Sequence, residues 1–148
     1  MLRNEIDDKY KWNLSDIVAD GEEWDKLYNE IQIGVKEIAN FAGKLDNKAD
    51  ILQCLQLNSS VSQKLEKIYV YSKMKMDEDS AVAKYQALTD KAERILVDYS
   101  VSSSFITPEI TKLSDEQINS FIADKDFANH SCYFESVIRE KKNILSEK

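Results

Sequence analysis

The chain has 148 residues, of which 43% are hydrophobic and 32% charged, with only three Gly and one Pro. A domain of that length buries about 70% of the surface its unfolded chain exposes, and the scarcity of breakers excludes a disordered or loop-rich protein and favours helix. Against 27 acidic side chains there are 20 basic ones, a net charge of -7, and the longest basic run is Lys141-Lys142; the clustered positive surface that nucleic acid or an anionic membrane requires is missing.

The N-terminal stretch MLRNEIDDKY is acidic and has no apolar h-region, which argues against a signal peptide. No apolar run reaches the roughly 18 residues of a spanning helix. A soluble, cytoplasmic protein is expected, with residues 1–19 forming an arm that packs on a helical bundle of residues 20–148. In that arm Trp12, Leu14 and Ile17 have a spacing that fits neither helix nor strand. We expect an extended entry, a single turn started by Ser15, and Trp12 as the anchor.

The first long helix is predicted from Asp20 as N-cap, with Glu23 completing a capping box, and it carries Trp24, Leu27, Tyr28, Ile31, Val35, Ile38 and Phe41 at helical spacing. Gly34 interrupts it at about 1 kcal/mol relative to Ala, which points to a close helix crossing or to slack. Gly43 supplies a left-handed stop that Leu45 covers. Asn47 caps the second helix, whose apolar face opens at Ile51, Leu52 and Leu55. The polar patch Asn58-Ser59-Ser60 marks either a kink or a helix of about 30 residues, roughly 45 Å long.

The second half of that helix, LEKIYVYSKMKMDED from Leu65 to Asp79, places Leu65, Ile68, Tyr69, Ser72 and Met76 on one face, with Val70, Tyr71 and Met74 widening it. A helix apolar over so much of its circumference is the centre of a bundle. Asp77, Glu78 and Asp79 oppose the negative end of the helix dipole, so they mark a corner, with Ser80 as N-cap of a third helix carrying Tyr85, Leu88, Ala92, Ile95, Leu96 and Tyr99 as far as Ser102-Ser103-Ser104. Thr107 as N-cap and Pro108 at the first helical position start a short turn. Ser114 and Gln117 form a second capping box ahead of Ile118, Phe121 and Ile122, and a last helix is predicted from Asp126 with Phe127, His130, Phe134, Val137, Ile138 and Lys141. The fold class is all-α, a multi-helix bundle of antiparallel helices with two long central helices. There is no internal repeat.

The chemistry-bearing residues are few. His130 is the only histidine, and its spacing to Phe127, Phe134 and Val137 makes it a core-edge side chain. Ser59, Ser60 and Ser102 to Ser104 lack a nucleophile-elbow context and a histidine partner. Asp77 and Asp79 are not followed by an EF-hand loop and read as a solvated corner. Cys54 and Cys132 are in no C-x-x-C spacing and read as two buried small hydrophobes, kept as thiols in a reducing compartment. No catalytic or metal-binding residue is assigned, no cofactor is expected in this chain, and the substrate-binding residues stay undetermined. Tyr69, Tyr71 and Tyr85 remain, each hydroxyl needing a partner where it is buried.

The run LEKIYVYSKMKMDED, with Trp12-Asn13-Leu14-Ser15-Asp16-Ile17 and Phe41-Ala42-Gly43-Lys44-Leu45 before it, then Phe105-Ile106-Thr107-Pro108-Glu109-Ile110, Arg139-Glu140-Lys141 and Leu145-Ser146 after it, resembles the N-terminal helical domain of oligoendopeptidase F. Lys142 and Asn143 stand where that family usually shows Pro and His. The family comprises zinc peptidases that cut short peptides inside an enclosed helical channel, and the resemblance implies a chain ending before the catalytic domain. Zinc there is held by an H-E-x-x-H helix and a further Glu. One histidine cannot supply that set, so the zinc belongs to the catalytic domain and this chain alone is expected to be inactive. The implied role is part of the wall or lid of the peptide channel, with the catalytic domain and, through it, short peptides as partners. Tyr69, Tyr71 and Tyr85 then either belong to the core or face that channel. Apolar surface left uncovered predicts weak self-association of the isolated chain. The rival reading is a stand-alone helical interaction module, the remnant of a truncated peptidase gene.

Overall fold

A computed structural model describes residues 5–141; the expectations that fall on residues 142–148, those for Lys142, Asn143, Leu145 and Ser146 included, lie outside the described residues. Among the described residues the chain is helical throughout, with no strand. Its long helices are α1 (Gly21–Ala39), α2 (Lys48–Glu78) and α3 (Ala83–Ser103). A second, shorter set follows: α4 (Ile106–Thr111), α5 (Asp115–Ile122), a 3-10 segment at Lys125–His130, and α6 (Ser131–Lys141).

The arm enters through 3-10 turns at Asp8–Tyr10 and Leu14–Asp16. Trp12 does not anchor it: that ring is 56% exposed, whereas Leu14 and Val18 are buried. The turn likewise begins at Leu14, and the Ser15 hydroxyl donates back to Asn13 Oδ1 at 2.7 Å. Leu14 and Val18 are branched apolar side chains with no polar atom to satisfy, so they enter the core at less cost than an indole whose N–H needs a partner.

Asp20 caps α1 by accepting the Glu23 N–H at 2.9 Å, while the Glu23 carboxylate accepts the N–H of Ala19, one residue before the cap, at 2.5 Å. The reciprocal box is therefore displaced by one residue, and two otherwise orphaned donors are still satisfied. Trp24, Ile31, Val35 and Ile38 of α1 are buried, with Leu27, Tyr28 and Phe41 packed at the edge. Trp24 stacks on Tyr28 at 5.3 Å between centroids. Gly43 has φ +77, the left-handed conformation of a helix stop, and Leu45 is buried behind it.

Asn47 caps α2 through the Asp50 N–H at 3.0 Å, and the helix then runs unbroken for 31 residues through Asn58, Ser59 and Ser60. No kink forms because the polar patch is flanked by Leu55 and Val61, both buried, and tertiary packing outweighs weak local propensity. Gly34 marks a close crossing: a Cβ built there meets Val61 Cγ2 well inside contact distance.

Three helices are pinned to one another by a buried polar seam. The Trp24 indole N–H donates to Ser72 Oγ at 3.0 Å and to the Ile68 carbonyl at 3.3 Å, and the Ser72 hydroxyl donates to Ile68 O at 2.6 Å. From α3, the buried Thr89 hydroxyl is shared between the Ser72 carbonyl at 3.2 Å and the Tyr85 carbonyl at 3.1 Å. The first turn of α1 and the early turns of α3 thus both meet the late turns of α2, which makes α1 and α3 each antiparallel to α2 and parallel to one another.

Three boundary expectations are corrected. Ser80 does not cap α3; Val82 occupies that position without a side-chain bond, and Asp79 closes the corner by accepting the Ala81 N–H at 3.1 Å. At its other end α3 stops within the serine run as predicted, at Ser103, which bonds back to the Tyr99 carbonyl at 2.8 Å. The α4 cap is Phe105, so Pro108 sits at the third helical position, where its missing N–H is still one of the orphan donors. Thr107 Oγ1 is instead within 3.0 Å of the Tyr133 hydroxyl. The last helix, expected from Asp126, starts one residue earlier as a 3-10 segment capped by Asp124 and becomes α6 only at Ser131. The Ser114–Gln117 box forms as predicted.

The shorter helices extend the same continuous core with an aromatic cluster of Phe121, Phe127 and Phe134, whose rings meet at 4.9, 5.2 and 5.5 Å. Polar ties hold it to the α1–α2 connection. The Glu109 carboxylate accepts the Gly43 N–H at 2.6 Å and the Leu45 N–H at 3.3 Å, and Lys48 pairs with Asp124 at 2.6 Å and Asp126 at 2.7 Å.

The cysteines part company. Cys54 is buried, and burial, with Glu109 adding to it, pushes its thiol up to about 11. Cys132 is exposed, contrary to the expectation of two buried thiols; it sits in the first turn of α6, on the side turned away from Phe134 and Val137. The two are unpaired.

Three measurements follow from this packing. Ser72→Ala removes one acceptor of a buried indole N–H and is expected to cost about 1 kcal/mol, a fall in Tm of roughly 3 °C; an unchanged Tm refutes the seam. Gly34→Ala gains about 1 kcal/mol of helix propensity but overpacks Val61 by about 1–3 kcal/mol, so the Tm drops, and Val61→Ala in the same chain removes that penalty. Iodoacetamide at pH 8 is expected to alkylate Cys132 alone in the native protein and both thiols in denaturant, as mass spectrometry will show; equal native labelling of Cys54 contradicts its burial.

Candidate functional site

The α2–α3 corner folds as it does because α2 loses its apolar stripe at Asp77 and a short turn must return the chain onto the face just buried. That return brings Tyr71 and Lys75, one turn apart on α2, opposite Lys84 and Tyr85 at the start of α3. The N-terminal turns of α1, held there by the Trp24 seam, add Glu22 and Asp25 as the facing wall. A cleft of about 500 Å³ results, within the usual range of ligand sites.

Its electrostatics are two-sided. Lys75 Nζ lies 5.8 Å from the ring centroids of both Tyr71 and Tyr85, a doubly flanked ammonium of the kind ring quadrupoles favour. The same amine reaches Glu78 Oε2 only at 3.5 Å. Lys84 has no hydrogen-bond or ion-pair partner among the described residues. Opposite these cations stand the exposed Glu22 and Asp25. Of the three tyrosines singled out in the sequence, the fold brings Tyr71 and Tyr85 together in the cleft and leaves Tyr69 packed at the edge of the core. Lys75 and Lys84 were not singled out; the i, i+4 pair Tyr71–Lys75 was the available signal, but without the corner geometry it reads as a solvated helix face.

His130 lines a second pocket of about 300 Å³ with Leu55, Asn58, Ser59 and Tyr133. Burial holds its pKa below the usual imidazole value. Burial also raises the Tyr133 phenol, with the Thr107 hydrogen bond opposing. The fold thus gives Ser59 a histidine neighbour that its sequence context lacks, yet no hydrogen bond joins Ser59 and His130 among the described residues, and no carboxylate lines the pocket to orient the ring. A nucleophile–base pair needs both links. Ser104 bonds the Val101 carbonyl at 2.8 Å as a helix-end residue. Asp79 is spent on its turn and Asp77 is exposed. Among the described residues no group of three or more His, Cys, Asp or Glu is placed to hold a metal ion, and a zinc set with two imidazoles does not fit a chain with one histidine. No described helix is long and apolar enough to cross a membrane.

Comparison with known proteins places these observations. The peptidase M3 N-terminal family, described as Oligopeptidase F, matches residues 109–148. Over 98% of its length the chain is 33% identical to the group B oligopeptidase PepB of Streptococcus agalactiae, covering 24% of that protein. It is 28% identical over 99% of its length to the oligopeptidase PepF of Bacillus subtilis, covering 22% of it, and 33% identical over 99% to the plasmid oligoendopeptidase F of Lactococcus lactis, covering 25%. A crystal structure of a Chlamydophila abortus protein assigned as a peptidase superposes with a TM-score of 0.74 over 95% of this chain and 24% of that one, at 21% identity, which supports the fold. The chain therefore spans about a quarter of the length of the relatives it matches. These matches support reading the chain as an N-terminal fragment similar to the oligoendopeptidase F proteins.

Proposed function

We propose that this domain is the non-catalytic N-terminal part of a zinc endopeptidase acting on short peptides, and that it forms part of the wall or lid of the channel through which they enter. The observation that carries this reading is the alignment of nearly the whole chain with one quarter of proteins named oligopeptidases. Its own residues supply no zinc set, so hydrolysis belongs to the remaining polypeptide, whose H-E-x-x-H helix would hold the metal. What this domain contributes is bulk and exclusion. Narrowing an entrance selects unfolded short chains over folded ones without any contact to the scissile bond.

Its partner in this reading is the catalytic portion. The apolar side chains of Val97 and Val101 on α3 and Ile33 on α1, 61%, 69% and 58% exposed, suit a face that packs against further polypeptide, and in the isolated chain they favour weak self-association. The unpaired Cys54 and Cys132 suit the reducing cytoplasm.

The reading is tested by exchanging the N-terminal quarter of the Bacillus subtilis relative for this chain and comparing the chimera with the deletion. The chimera is expected to cleave quenched peptides of about ten residues and to leave casein intact, whereas the deletion loses that size limit or its stability. A deletion mutant that keeps both full activity and the same size limit refutes the wall or lid.

A further inference from the structure

We infer that the cleft between α1 and the α2–α3 corner is a binding site for short zwitterionic peptides, with the peptide α-carboxylate at Lys75 and Lys84 and its α-ammonium towards Glu22 and Asp25. The inference rests on the peptide-handling reading above and deepens it by assigning a ligand class to a site.

Four features carry it. Lys75 is held between the Tyr71 and Tyr85 rings at 5.8 Å from each, which partly desolvates the ammonium and fixes its position. An ammonium has three donors, and Glu78, at 3.5 Å, engages at most one of them; the others remain for a ligand. Lys84, without a partner among the described residues, adds a second cation to the lining of the cleft. A carboxylate there makes charge-assisted hydrogen bonds, the stronger kind, and the last side chain of the peptide lies against a tyrosine face.

The acidic wall decides between anions. Glu22 and Asp25 across the cleft repel a dianion such as a phosphate ester, and the overall charge of -7 does the same at longer range. They attract a ligand whose other end is positive. A free peptide has one negative terminus and one positive terminus, so it meets both walls with the correct sign. Discrimination of this kind comes from the repulsive element as much as from the attractive one.

The test is titration of the 15N-labelled chain with the tripeptide Ala-Phe-Ala, with its C-terminal amide, with its N-acetyl form and with inorganic phosphate. The free tripeptide is expected to shift amides around Tyr71, Lys75, Lys84 and Tyr85, the amide and the N-acetyl form to bind at least tenfold and at least threefold more weakly, and phosphate not to compete. Lys75→Met is expected to abolish the preference for the free carboxylate and Lys75→Arg to keep it; Lys84→Gln, at an exposed position, gives a partial loss should Lys75→Met fail to fold. Equal binding of acid and amide, shifts mapping elsewhere, competition by phosphate, or no binding overturns the site. None of those results bears on the chimera, whose size limit does not require that the isolated domain bind peptide.

Discussion

The indole N–H of Trp24 sets the register of the bundle. Apolar contacts are non-directional and allow helices to slide by a turn at little cost, but a buried N–H left without an acceptor costs about 1–3 kcal/mol. Trp24 is fully buried and finds acceptors at Ser72 and Ile68. Thr89 joins α3 to the same turn of α2 through the Ser72 carbonyl. One position on α2 thus indexes two neighbouring helices. Gly34 opposite Val61, and Tyr71 and Lys75 opposite Tyr85, follow from that registration.

The long helix α2 serves a different purpose at each end. Near its N-terminus it meets the shorter helices, where Lys48 reaches Asp124 and Asp126 while Glu109 receives the N–H groups of the α1–α2 connection. Exposed ion pairs of this sort add little stability, so the attachment depends chiefly on the buried Ile51, Ile106, Ile110 and Phe127. Near its C-terminus α2 turns into α3 and makes the charged cleft. With 31 residues between caps, the two features lie at opposite ends of a helix roughly 45 Å long.

Many polar groups among the described residues serve structure: they cap helices, close turns and join the buried seam. His130 has no carboxylate in its pocket to orient it, and Ser59 makes no hydrogen bond to it among the described residues. At the α2 corner Asp79 closes its turn, Glu78 pairs with Lys75 and Asp77 is exposed.

The helices themselves were legible because their signals are local. Caps at Asp20, Asn47 and Ser114, the stop at Gly43 and the stripe from Trp24 to Ile38 depend on residues three or four apart, and the structure places each as the pattern predicts. Errors had two sources: the distant Tyr133 drew Thr107 from its cap, and near neighbours took places expected of others, Asp79 closing the corner in place of Ser80 and Leu14 and Val18 anchoring the arm in place of Trp12. The cleft was half legible, since Tyr71 and Tyr85 were singled out but not their companions Lys75 and Lys84. By itself the sequence determined an all-α domain of the oligoendopeptidase F type with one histidine and therefore no two-imidazole zinc set of its own. Only the tertiary structure decided that Ser72 is a shared acceptor, that Cys132 is outside while Cys54 is inside, and that three helices bring opposite charges to one cleft. Those outcomes depend on which faces meet, and helix register is settled by buried polar partners far apart in the chain, which no local pattern encodes.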